Sequence, residues 1–460
     1  MVNILLAIFS GTLLSGAFAP LSVWWLAPLA IGVHIFCIKR STRPFLNSFL
    51  FALVFNAIAL HWTSTFVGAI PWAILAIGQA VLFMPLGFAN KYGVALYPVI
   101  FLLLEQVRGS FPFGGFGWMR IAYSQADAPY SSIAAIGGAV GLSALVLCIS
   151  LTLFALLNAR LHVFPLLPLI LLLIPIHTDS IGTVKVLMVQ GDVPALGFDF
   201  NSRAKAVFLN HVNETKKALA KDSNVDFILW PENAVDVDPF TNNDVKETLN
   251  SFPVPLIIGA VSREGENLQN VSILWEKKSQ EIYVKQHLTP FGEYIPLRSL
   301  ASKISPLAAS VEDFTPGSSF KIFAIGRAKI SPIICFELID DSILSTAARA
   351  SNLIVVQTNS ATFGFSPESA QQLEISRIRA IEHGRNLLSV STTGISAVID
   401  STGEITSRTQ IHVPAHIFAS VQLLDSQSPR DRAGHWATVA AFVWLFIVGR
   451  TGRKVVTQRR

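Results

Sequence analysis

The chain has 460 residues, of which 51% are hydrophobic and 14% charged, and its mean hydropathy is +0.51. Soluble domains carry roughly a quarter charged residues, so the composition excludes an ordinary soluble protein and reads as a membrane protein with a soluble part. The net charge of +5 raises nucleic acid as a partner, but Lys and Arg also collect at the cytoplasmic ends of membrane spans, so their positions decide.

The first 20 residues resemble a secretory signal only superficially. They lack a basic start, Pro20 would follow the cut, and another apolar run begins at once, so they are expected to stay on the chain as a span. Apolar runs recur at about 4–19, 22–38, 45–66, 71–90, 93–108, 132–157 and 162–176, with one more at 434–449. Crossing a bilayer takes roughly 17–25 residues, which predicts about seven N-terminal spans and one C-terminal span. No run shows the paired charges expected of a proton-coupled transporter.

Lys39, Arg40 and Arg43 follow the second run, Lys91 the fourth, Arg160 the sixth, and Arg450, Arg453, Lys454, Arg459 and Arg460 the last. Alternate loops hold only Arg108 and Arg120. This bias places the even-numbered exits in the cytoplasm and residues 178–433 outside. The positive charge is then topology, and nucleic acid is not an expected partner. The expected organisation is a multi-span region 1–177, an extracytoplasmic domain 178–433, and a span with a basic cytoplasmic tail 434–460. Between the fifth and sixth runs, residues 109–132 mix Phe, Trp and Tyr with glycines, which reads as an interfacial aromatic belt or as a lipid-facing loop beside a site.

Residues 178–433 change character. Short β-branched runs at Val184–Val189, Val225–Trp230, Leu256–Val261, Val271–Trp275, Ile282–Val284, Lys329–Cys335, Leu353–Thr358 and Ile395–Asp400 read as strands. Helical patterns at about 201–221 and 367–385 intervene, which predicts a layered α/β domain. Pro332 predicts a bulge or an edge position just before Cys335.

Three reactive groups stand at strand ends: Glu232 after Val225–Trp230, Lys285 after Ile282–Val284, and Cys335 after Lys329–Ile334. Singly, each has a plain alternative: a loop or cap carboxylate, a surface lysine, and a small buried hydrophobe. Cys37, Cys148 and Cys335 make neither a disulfide framework nor a metal-ligand spacing. Cys335 would be the one thiol of an extracytoplasmic domain, where cysteines usually pair. Together the three are chemically coherent. Burial raises a carboxylate, a nearby ammonium lowers a thiol, and the same ammonium faces the oxyanion formed when a thiolate attacks an acyl carbonyl.

WPENA (230–234), KQHLTPFGEYIPL (285–297) and IICFE (333–337) resemble the catalytic blocks of the carbon-nitrogen hydrolase (nitrilase) superfamily. More specifically, they resemble the apolipoprotein N-acyltransferases, and so do AFAPLSVWWLAPLAIG (17–32), ALHWTSTF (59–66), FGGFGWMRIAYSQ (113–125), VQGDVP (189–194) and 377–404. The resemblance implies a nitrilase-like αββα sandwich inserted in a membrane bundle of a bacterial cytoplasmic membrane. It implies an acyl chain moving from a phospholipid, through a Cys335 thioester, to the N-terminal amine of an S-diacylglyceryl-cysteine apolipoprotein, with no cofactor and no metal. Glu232 matches the general base, Lys285 the oxyanion-stabilising lysine, and Cys335 the nucleophile. The Phe336 backbone N–H matches a second oxyanion donor, and Glu293 and Glu337 match site-lining acidic positions. QTNSATFG (357–364), Gln372, Phe336 and Asp192 depart from common family residues. A membrane-anchored amidase using the same triad is the rival reading.

Overall fold

Proline and glycine cut the apolar N-terminal runs into helices shorter than the runs themselves. Helix α1 (Val2–Ser15) stops at Gly16, α2 spans Leu26–Arg40, and α3 (Pro44–Ala59) opens on a proline whose missing N–H the first turn does not need. Helices α4 (Ala69–Phe83), α5 (Tyr97–Arg108) and α6 (Ala134–Leu157) follow, the last interrupted at Gly138, where φ is +68°. In this computed structural model, residues 1–157, 164–193, 200–304, 312–440 and 443 are described. The chain divides into two units, Met1–Ile176 with Ser428–Arg460, and His177–Gln427.

Two helical stretches among the described residues, Ala69–Tyr92 and Ser131–Leu157, are long and apolar enough to cross a membrane. The count of seven plus one is therefore not reproduced. At about 1.5 Å per residue, the 14 residues of α1 and the 16 of α3 fall short of the roughly 30 Å hydrocarbon core. Of the seventh run, Phe164–Leu173 is a 3-10 helix with Pro168 inside it, and residues 158–163 lie outside the described residues. Half of the eighth run lies outside them as well.

The charges of α5 correct a second expectation. Glu105 and Arg108 are both buried, with Arg108 Nη2 3.7 Å from Glu105 Oε1, so this apolar stretch does carry a buried charge pair. The pair holds the loop that follows. Ile121 N–H donates to Glu105 Oε1 at 2.7 Å, and Arg108 Nη2 donates to the Met119 carbonyl at 2.6 Å. Loop 109–132 is consequently only partly a belt: Phe111 and Phe113 are exposed, whereas Trp118, Tyr123 and Tyr130 are buried.

The second unit is a two-sheet sandwich. Its first six strands are β1 (Ser180–Gln190), β2 (Phe227–Leu229), β3 (Leu256–Glu264), β4 (Asn267–Trp275), β5 (Gln280–Val284) and β6 (Phe323–Ile325). The second six are β7 (Ala328–Ile334), β8 (Leu353–Thr358), β9 (Leu387–Ser391), β10 (Ala397–Ile399), β11 (Ile405–Arg408) and β12 (Ala415–Leu424). One sheet runs β12-β1-β2-β3-β4-β5 and the other β11-β10-β9-β8-β7-β6. Alternation along β1 sends Val184, Val186 and Met188 into a shared core with Ile330, Ile334, Leu353 and Val355 of the facing sheet. Leu187 and Val189 point the other way, onto Phe208, Val212, Val245 and Leu249, which belong to α7 (Phe200–Leu219) and α8 (Asn243–Asn250). Helices α9 (Asp341–Ala350) and α10 (Glu368–His383) pack on the other sheet. The layers are helix, sheet, sheet, helix, as the nitrilase-like resemblance implies.

Each expected strand is present, and β6, β9, β11 and β12 are added to them. Pro332 sits in unbroken parallel register opposite Val355, so there is no bulge. The short β6 reaches only to Ile330, which leaves β7 with one strand neighbour at Pro332 and makes the missing N–H harmless. Antiparallel pairing of β1 with β12 brings the two ends of this unit together. Asp179 N–H donates to Ser426 Oγ at 3.0 Å, and the buried Arg385 guanidinium donates to the carbonyls of Ala348, Ser351 and Ser426.

Candidate active site

Strands β2, β5 and β7 each end in one of the three reactive residues. β2 runs into Trp230-Pro231-Glu232, and the turn there is set by close backbone approach. The Gly259 N–H donates to the Pro231 carbonyl at 3.1 Å. A Cβ on Gly259 would lie 2.4 Å from the Pro231 carbonyl oxygen and 2.5 Å from Glu232 Cα. Gly259→Ala is therefore expected to cost about 1–3 kcal/mol as overpacking and to displace Glu232. Thermal unfolding of the variant, with a rate of thioester formation, checks both, and an unchanged protein would show that the turn yields freely.

At the end of β7 the backbone turns sharply. Cys335 has φ +49°, the left-handed region that a non-glycine residue rarely adopts, and it opens a one-turn 3-10 helix, Cys335–Ile339. Such a conformation costs of order 1–3 kcal/mol and persists only where the surroundings impose it. Here Glu337 imposes it. Its Oε2 accepts from Ile334 N–H at 2.8 Å, while Oε1 accepts from the Tyr283 hydroxyl at 2.8 Å and Gln286 N–H at 2.7 Å. Both oxygens are occupied in fixing the end of β7 to the segment after β5, so Glu337 joins the backbones that carry Cys335 and Lys285.

The structure brings Glu232, Lys285, Glu293 and Cys335 together. Lys285 Nζ lies 2.8 Å from Glu293 Oε2 and 3.6 Å from Glu232 Oε1, and it donates to Thr289 Oγ1 at 3.3 Å. Asn270 Nδ2 donates to Glu232 Oε1 at 2.8 Å and to Glu293 Oε1 at 2.6 Å. Cys335 lies near enough to Glu232 and Lys285 to feel the charge of both, and Gln372 Nε2 lies 3.9 Å from Sγ. Phe336 is buried with its ring edge-on to His287, centroids 5.2 Å apart.

The two carboxylates share one cation, but their pKa values shift in opposite directions. Burial opposes the charge on Glu293, but the Lys285 ammonium and hydrogen bonds from Lys285, Thr289 and Asn270 outweigh it and hold its pKa below the ordinary value. For Glu232, burial dominates, Lys285 offsets only part of it, and the neighbouring Glu293 charge adds to the upward shift. Lys285 loses by burial and gains more from Glu293 and Glu232, so its pKa is raised and it remains a cation. Two carboxylates pushed apart in this way suit different roles.

The thiol departs from expectation. Lys285 does lower it, but burial and the Glu232 charge win, and the Cys335 pKa is pushed well above the usual thiol value. The thiol is therefore neutral at rest, so a thiolate there needs a base to take its proton rather than standing ionisation.

Sequence reasoning missed Asn270, Thr289 and Glu368. Asn270 stands in the polar first half of β4, near Asn267 and Gln269, so nothing local singles it out. Glu368, at the start of α10, is buried, and its Oε2 has no hydrogen-bond partner.

Residues 188–429 match the family model for carbon-nitrogen hydrolases, which defines the class of enzyme to which this sandwich and site correspond. Residues 10–152 match the model for the apolipoprotein N-acyltransferase N-terminal domain. An apolipoprotein N-acyltransferase of Mycolicibacterium smegmatis is 30% identical over 93% of this chain and 81% of its own length. Apolipoprotein N-acyltransferases of Geobacter metallireducens and Photobacterium profundum are 29% and 25% identical over 95% and 98% of this chain, and over 93% and 96% of their own. The chain belongs to the apolipoprotein N-acyltransferase family, and its enzyme class is that of an acyltransferase.

Proposed function

We propose that the protein moves an acyl chain from a phospholipid to the N-terminal amine of an S-diacylglyceryl-cysteine apolipoprotein through a thioester on Cys335. The observation that carries this reading is the Lys285 ammonium 3.6 Å from the Glu232 carboxylate, both near enough to Cys335 for their charges to act on its thiol. In the first half, Glu232 takes the thiol proton and Sγ bonds to the ester carbonyl carbon. The resulting oxyanion faces Lys285, and the Phe336 backbone N–H is assigned as its second donor. Collapse breaks the carbon–oxygen bond, and Glu232 protonates the departing lysophospholipid oxygen. In the second half, the acceptor amine bonds to the thioester carbon and gives a proton to Glu232, which returns it to Sγ as the carbon–sulfur bond breaks. Glu293 keeps Lys285 charged and placed throughout.

The membrane arrangement belongs to the same proposal. About seven N-terminal spans in residues 1–177 and one in 434–460 would hold the 178–433 domain on the extracytoplasmic face of a bacterial cytoplasmic membrane, with the basic tail inside. The distribution of Lys and Arg supports this orientation, and the two long apolar helices support membrane residence.

Intact-mass measurement of the purified protein incubated with phospholipid tests the chemistry. An acyl-sized adduct is expected on the wild type and absent from Cys335→Ala. Adding a diacylglyceryl peptide should discharge the adduct onto the peptide amine. Discharge as free fatty acid at an unchanged rate would favour a hydrolase instead.

A further inference from the structure

The reaction above leaves one proton unplaced. An α-amine with an ordinary pKa near 7.7–8.0 arrives mainly as an ammonium at neutral pH and has no lone pair to attack with. Two protons must leave that nitrogen, one before the carbon–nitrogen bond forms and one as the intermediate collapses. Glu232 accounts for the second, because it passes that proton to the departing Cys335 sulfur. The first needs another acceptor.

Glu368 has the required position. It is 2% exposed, and its Oε2 has no hydrogen-bond partner, an expensive state for a buried carboxylate oxygen unless something arrives to use it. It stands four residues before Gln372 on α10, and residues at i and i+4 share a helix face. Gln372 reaches Cys335 Sγ at 3.9 Å, so that face is turned to the nucleophile. Glu368 lies near enough to feel the charge of Glu232, and Cys335 near enough to feel that of Glu368.

We propose that Glu368 accepts the proton of the incoming α-ammonium, so that the acceptor reaches the Cys335 thioester as a neutral amine. This inference rests on the acyl-transfer reading. The ammonium gives its proton to Oε2; the freed lone pair forms the carbon–nitrogen bond; Glu232 takes the second proton and returns it to Sγ as the carbon–sulfur bond breaks. Glu368 releases its proton to water when the amide leaves, so the cycle yields amide, thiol and one proton. Burial is the main cause that brings Glu368 to a pKa of about 7, with Ser360 opposing it and Glu232 reinforcing it, within reach of an α-ammonium. The charged and titratable groups around it are Glu232 and Cys335, with Lys285 and Glu293 behind them.

The experiment separates the two half-reactions in the full-length protein. Wild type and Glu368→Gln are first loaded from phospholipid, with the adduct followed by intact mass. The loaded enzymes are then mixed with a diacylglyceryl peptide or with hydroxylamine, a nitrogen nucleophile that is uncharged at neutral pH. Glu368→Gln should load at the wild-type rate and consume hydroxylamine at the wild-type rate, yet transfer to the peptide about 10²-fold more slowly. Glu368→Asp should recover part of the loss. Peptide transfer by the wild type should climb as pH rises through the range around 7, and the variant should lose that inflection. Equal slowing towards both nucleophiles, or no slowing towards either, overturns the role of Glu368. Absence of any adduct on the wild type overturns the acyl-transfer reading itself, and this inference with it.

Discussion

Glu232→Gln lowers thioester formation on Cys335 by about 10²–10⁴-fold, the usual worth of a positioned general base. The expectation is at the upper end because the thiol pKa is pushed well above its ordinary value, leaving little thiolate without a base. Glutamine preserves the volume and can still meet Asn270, so the fold should survive. The pH dependence carries a sign. Glu232 works as the carboxylate, and burial raises its pKa above the usual carboxylate value, so wild-type loading should fail on acidification earlier than for an ordinary glutamate. The variant should lack that limb. Single-turnover loading across pH measures it, and a variant within tenfold of wild type would remove Glu232 from the role of base.

Lys285→Ala combines two losses. Removing the oxyanion-facing ammonium should reduce loading by about 10²–10³-fold. It also strands Glu232 and Glu293, both buried, without their cation, and breaking a buried pair from one side costs about 3–5 kcal/mol. The substitution is thus expected to lower both activity and stability, in contrast to Glu232→Gln. The linkage has a definite direction. Glu293 titrates below its unfolded value in the wild type, chiefly through Lys285 against the cost of burial. It therefore contributes stability above the unfolded carboxylate pKa, lost as pH falls through the folded one. Lys285→Ala should lose that contribution at neutral pH, where its deficit relative to wild type is greatest, and narrow the deficit in acid. Denaturant unfolding of both proteins at several pH values tests this; a constant deficit would contradict the ion-pair account.

Much of the sandwich was legible because its central strands are buried on both faces. Leu353–Thr358 opens on four consecutive apolar residues and is β8 in the structure, as expected for a covered parallel strand. β9, Leu387–Ser391, was missed because its serines dilute the same signal. Glu232, Lys285 and Cys335 were legible as strand-end residues, since a strand end is a local feature. Asn270 and Glu368 were not, because each acquires meaning only when distant strands and helices converge. The N-terminal helices are shorter than the apolar runs that contain them for a related reason. Hydropathy records how apolar a run is, whereas Pro and Gly decide how much of it stays helical. Arg108 was misread as a loop charge, because nothing local shows that Glu105 and the Met119 carbonyl will bury it.

The meeting of the sandwich's two ends has a topological consequence. Because β1 and β12 lie side by side and Ser426 ties down the Asp179 backbone, some 250 residues, His177–Gln427, are interposed at what amounts to a single point of the remaining chain. A segment whose ends nearly touch imposes almost no separation on what flanks it. The flanking segments can be connected as though by a short loop.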